Sequence, residues 1–186
     1  MDSEVSIPTW YNQILLFIAG LLAAIIACVQ KHEGGRKATH LWAILAASLI
    51  FLSIDEGASL HEPSTAIIQA QLLGVGVEVT RLSVWFTEGV IASAVFVLFF
   101  SNLWLSIPRR VRLLVLLAAS TYACGVVGIE VVTAELLPQM ADRDSFAYAL
   151  WVALEEGLEM LGASLFIYAF LEYLSALRTR LQLNFS

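Results

Sequence analysis

Residues 51–63 read FLSIDEGASLHEP. The segment leaves a strongly apolar run and then places Asp55, Glu56, His61 and Glu62 within eight positions. If the run is a membrane helix, these ionisable groups lie at or inside the edge of the hydrocarbon, and the whole fold turns on that reading.

Composition favours it. Of 186 residues, 59% are hydrophobic and 14% charged, with a mean hydropathy of +0.80. A soluble domain of this size needs more polar surface than that. The basic residues form short clusters between apolar runs, so no nucleic-acid partner is expected. The N-terminus carries Asp2 and Glu4 without Lys or Arg, so the first apolar run is expected to be retained rather than cleaved as a signal peptide.

Crossing about 30 Å of hydrocarbon takes about 20 mostly apolar residues. Five stretches meet this: roughly 10–30, 41–62, 84–106, 112–136 and 146–175. Residues 64–83 are interrupted by Gly74, Gly76, Glu78 and Arg81, and they read as an interfacial loop with at most a short surface helix. Eight of the ten basic residues fall on one side of this arrangement, and Arg81 and Arg143 fall on the other. The positive-inside rule then puts the N-terminus outside and the C-terminus in the cytoplasm. The expected fold is all-α: one domain, residues 1–186, forming a five-helix bundle in the plasma (inner) membrane, with lipids as its immediate partners. Trp10, Tyr11, Trp85, Tyr148 and Trp151 at one boundary, with Trp42, Trp104 and Tyr173 at the other, read as interfacial anchors. Cys28 and Cys124 lie too far apart in depth to pair and read as small packing residues.

The same topology collects acids. Asp55, Glu88, Glu130 and Glu155 share a level in the outer half at about 1.5 Å per residue, with Glu159 deeper. At 100° per residue, Asp55, Ser59 and Glu62 make one stripe, while Glu56 and His61 point away from it. Pro63 is expected to end that helix. Glu155 and Glu159 make a second stripe, with Glu156 one step around. A charge at mid-bilayer costs about 2.5–3.5 kcal/mol on insertion scales, so these groups must face protein, water or a cation, or hold protons. No Arg or Lys sits at this depth. Glu135 and Glu172 read as groups near water.

Carboxylates with an imidazole suit Fe, Mn or Zn, and carboxylates alone suit Ca or Mg. The candidate metal ligands are therefore Asp55, Glu56, His61, Glu62, Glu88, Glu130, Glu155, Glu156 and Glu159, holding one or two divalent metals. The Glu-x-x-His pair of helical di-metal sites is absent, since Glu56 and His61 are five apart. If the protein is an enzyme, metal-assisted redox or hydrolytic chemistry on a lipophilic substrate fits this set. Two other readings stand beside it. One is an accessory subunit of a larger respiratory or photosynthetic complex. The other is a proton or cation carrier, against which counts the absence of acids between Glu159 and Glu172.

The blocks SIDEGASLHE (53–62) and EEGLEMLG (155–162) resemble a set of small, uncharacterised bacterial multi-pass membrane proteins sharing SxDExxxxHE and EExxEMxG. The resemblance covers the second and fifth spans. It implies that Asp55, Glu56, His61, Glu62, Glu155, Glu156, Glu159 and Gly162 belong to one set, and it brings no activity with it.

Overall fold

The computed structural model describes residues 7–32, 35–80, 83–84, 86–91, 94, 98, 107–129 and 146–184, and leaves the side chains of 61, 62, 129 and 179–184 outside that description. Among the described residues the chain is helical, without strands. Helix α1 spans Ile7–His32, α2 Arg36–Ala58 and α3 His61–Gly74. Helix α4 spans Arg109–Ala123 and continues as a π-helical turn over Cys124–Ile129, and α5 spans Phe146–Asn184. Four of these segments are long and apolar enough to cross a membrane: Ile7–His32, Arg36–Ala58, Arg109–Gly128 and Phe146–Arg178. The span expected over 84–106 lies largely outside the described residues, and its described positions 84, 86–91, 94 and 98 are helical.

Helix α1 is the axis of the bundle. Leu16, Ala19, Ala23 and Ile26 recur at helical spacing and are almost wholly buried. The small residues set the distance to α2: a Cβ on Gly20 would lie 2.7 Å from Ile50 Cγ1. Without a hydrophobic force between helices in lipid, such close backbone approach is what dispersion packing needs. The opposite face of α1, with Ile14, Phe17, Leu21 and Ile25, is exposed as a lipid-facing surface would be.

Where the chain passes from α1 to α2, α5 joins through aromatic packing. Trp42 stacks on Tyr173 at 5.2 Å and meets Phe170 edge-on at 5.5 Å. Gln30 Nε2 donates to the Tyr173 hydroxyl at 3.0 Å. Trp42 and Tyr173, expected as interfacial anchors, are core residues instead. Trp10 and Tyr11 are exposed, as anchors should be. Cys28 and Cys124 are both free and exposed, so neither is the packing residue expected.

Two boundaries differ from expectation for local reasons. Helix α2 stops at Ala58 because Ser59 adopts a left-handed conformation, φ 48°, with its N–H bonded to Asp55 O at 2.7 Å. Pro63 therefore does not end that helix; it sits in the first turn of α3, where its missing N–H costs nothing. At 39 residues α5 is about 58 Å long, well beyond the hydrocarbon thickness. Glu172, expected near water, is partly exposed and pairs with Arg110 of α4 at 3.1 Å.

Candidate functional site: two carboxylates on one buried amide

One turn into α1, Asn12 and Gln13 interrupt the apolar sequence. Each ties α1 to a neighbour. The Ser53 hydroxyl donates to Gln13 O at 2.8 Å, which pins the end of α2 against the start of α1. Gly57 makes room for the Gln13 side chain, since a Cβ there would lie 2.6 Å from Gln13 Nε2. With α2 held in this register, Glu56 reaches Asn12, whose Nδ2 donates to Glu56 Oε1 at 3.1 Å.

Helix α5 arrives from the other side. Asn12 Nδ2 also donates to Glu159 Oε2 at 3.1 Å. The amide is buried at 2% exposure and uses both its hydrogens on carboxylates. Its oxygen has no such match: among the described residues, Asn12 Oδ1 is buried without a hydrogen-bond partner. Leaving a buried acceptor unmade costs about 1–3 kcal/mol.

A fourth helix closes the group. Gly162 of α5 lies under Tyr122 of α4, so close that a Cβ would be 2.6 Å from the Tyr122 nitrogen. Gly125 reciprocates: its Cβ would lie 2.9 Å from both Glu159 Cγ and Glu155 O. These two glycines let α4 and α5 interlock at the level of Glu159. The Tyr122 hydroxyl is thereby brought beside the Asn12 amide and within electrostatic reach of Glu56, Glu159 and Asp55. The helix then widens into its π turn at Cys124–Ile129, an irregularity that recurs at functional positions.

Of the expected ligands, Glu56 and Glu159 come together, and Asp55 lies near enough to act on Tyr122. Glu56, which is off the Asp55 stripe, is the α2 carboxylate bonded to Asn12. The Asp55–Ser59–Glu62 stripe does not exist as one helical face, because α2 has ended before Ser59. Glu88 accepts from the buried Thr65 hydroxyl at 2.8 Å, a contact between α3 and the segment that follows it. Glu155 and Glu156 are half-buried and have interactions of their own. The side chains of His61 and Glu62, and the whole of Glu130 and Glu135, lie outside the described residues. Among the described residues no group of three or more His, Cys, Asp or Glu is arranged to hold a metal ion.

Sequence reasoning missed Asn12 and Tyr122. The signal for Asn12 was present, since an Asn–Gln pair inside an apolar helix needs partners. Tyr122 offers no such signal, because a tyrosine in an apolar helix is ordinary.

No curated protein and no solved structure matches the chain. A family model described as a domain of unknown function (DUF8692) matches residues 1–174. The chain thus belongs to the DUF8692 family.

Proposed function

We propose that this protein binds a divalent cation inside the membrane, between Glu56 and Glu159, with Asn12 and Tyr122 supplying further oxygen donors. The observation that carries the reading is the mismatch at Asn12: one nitrogen shared by two carboxylates, and a buried oxygen with no partner among the described residues. Turning the amide over about its terminal bond exchanges the two atoms. The oxygen would then face the space between the carboxylates, and a cation there would meet three or four oxygen ligands. Without a cation, the amide hydrogens bridge the two acids and hold them apart.

An all-oxygen shell suits hard cations, Mn, Mg or Ca. Five spans, with the N-terminus outside and the C-terminus in the cytoplasm of a bacterial inner membrane, fit the basic clusters. The acid pair then sits in the outer half, opposite the basic residues at the α1–α2 turn. Any catalysis there would be metal-assisted and would act on a lipophilic molecule reaching the site from lipid.

A second reading is favoured by the small number of carboxylates in the node: the pair holds one proton, and no metal. Metal analysis of protein purified without chelator separates the two. Stoichiometric metal in the wild type, lost in Glu159→Gln and in Glu56→Gln, supports the first. A protonated-carboxyl infrared band, lost in the same variants with no metal in any of them, supports the second.

A further inference from the structure

At the end of the bundle remote from Asn12, α4 starts with two arginines and turns apolar within one turn. Arg109 and Arg110 form the rim of a groove, and Leu113, Leu114 and Leu117 form its wall. All five residues lie on one face of α4, so the groove is shallow and widely open to the outside of the bundle. Leu113 and Leu117 are 56% and 53% exposed. We propose that this groove binds one anionic phospholipid, with the phosphate on Arg109 and Arg110 and an acyl chain along the leucines.

Three features of α4 specify that occupant. The first is the charge at the rim. Arg110 meets Glu172 through Nε at 3.1 Å, and its side chain stays 70% exposed. One such contact leaves the terminal guanidinium nitrogens for a second acceptor. Arg109 is exposed beside it. The second is the helix start itself. Pro108 is the N-cap and supplies no side-chain hydrogen bond to it. The first N–H groups of a helix favour an anion, and phosphate is a common one.

The third feature is length. From Arg109 to Leu117 the wall rises about 12 Å, most of the roughly 15 Å of hydrocarbon in one leaflet. A free phosphate has no use for that apolar wall, and a zwitterionic lipid has less use for two arginines. A molecule with an anionic head and an apolar tail matches both ends of the stripe. The site is separate from the Glu56–Glu159 pair, and neither depends on the other.

The test is native mass spectrometry of the full chain from nanodiscs containing phosphatidylglycerol and phosphatidylcholine with identical acyl chains. Wild type should retain phosphatidylglycerol preferentially, and inorganic phosphate at millimolar concentration should not displace it. Each arginine near a membrane surface contributes enough to predict about a fivefold fall in that preference for Arg109→Gln, and more for the double variant with Arg110→Gln. Leu117→Trp, which fills the groove and leaves the arginines, should also lower retention. Because Arg109 is exposed, its single variant serves even if the double variant does not fold. Equal retention of the two lipids, or an unchanged preference in Arg109→Gln, overturns the proposal. Displacement by inorganic phosphate alone overturns it too, since that would mark a simple anion site.

Discussion

Glu56 of α2 and Glu159 of α5 accept hydrogen bonds from the same atom, Asn12 Nδ2, each at 3.1 Å. Their oxygens can be no farther apart than twice that distance. In a low-dielectric interior, two carboxylates so close repel unless a proton or cation sits with them.

Asn12→Leu removes the bridging donor and keeps the side-chain volume similar. It leaves two partly buried acceptors without their shared partner, and the expected loss is about 2–5 kcal/mol, read as a lowered thermal midpoint in detergent. If the cation reading holds, added Mn²⁺ should restore part of that loss. Asn12→Asp is the sharper variant. It adds a third carboxylate, so it should be less stable than wild type without metal and gain more from Mn²⁺ than wild type does.

Two glycines on α5 should respond in opposite ways. A Cβ on Gly162 would fall 2.6–2.8 Å from Tyr122 backbone and Cβ atoms, so Gly162→Ala must push α4 away. A cost of about 1–3 kcal/mol is expected. Among the described residues, nothing lies within 4 Å of the same position on Gly157. Gly157→Ala should therefore be neutral or stabilise by up to about 1 kcal/mol through helix propensity. Thermal melts of the two single variants make the comparison.

Trp42 is 1% exposed, between Tyr173 and Phe170, and among the described residues its Nε1 is buried without a hydrogen-bond partner. Trp42→Ala should cost about 3–5 kcal/mol. Trp42→Phe should cost much less, because it removes the unsatisfied N–H and keeps most of the aromatic packing. An interfacial anchor would show the reverse insensitivity, with little change in stability for either substitution.

The Arg110–Glu172 pair joins α4 to α5, with side chains 70% and 30% exposed. Screening at that exposure limits the pair to about 0–1 kcal/mol. Glu172→Gln should shift the melting midpoint only slightly, and the shift should shrink further in high salt.

Hydropathy made the described spans legible, because about 20 apolar residues in a row have few alternatives. Their ends were less so. Helix α2 stops at Ser59 through one left-handed residue, and a serine carries no signal strong enough to outweigh the continuing helical pattern. That Glu56 and Glu159 need partners was also legible, because carboxylates in apolar helices demand them. Which carboxylate faces inward was not. Angular spacing fixes Asp55 relative to Glu56, but the choice between them depends on where α1 places Asn12. That position follows from packing at Gly20, Gly57 and Ser53, contacts between residues distant in sequence. Trp42 failed for a similar reason: a tryptophan near a helix end looks the same whether it faces lipid or Tyr173.

The most direct measurement is an electron paramagnetic resonance titration of the purified, detergent-solubilised chain with Mn²⁺, run on wild type, Glu56→Gln and Glu159→Gln. Saturable binding of stoichiometric Mn²⁺ by wild type, weakened at least about tenfold by either substitution, is the predicted result; loss of one charged ligand contributes that much or more. Unsaturable or absent Mn²⁺ binding in a folded wild type, or equal binding by all three proteins, would contradict a cation site between Glu56 and Glu159.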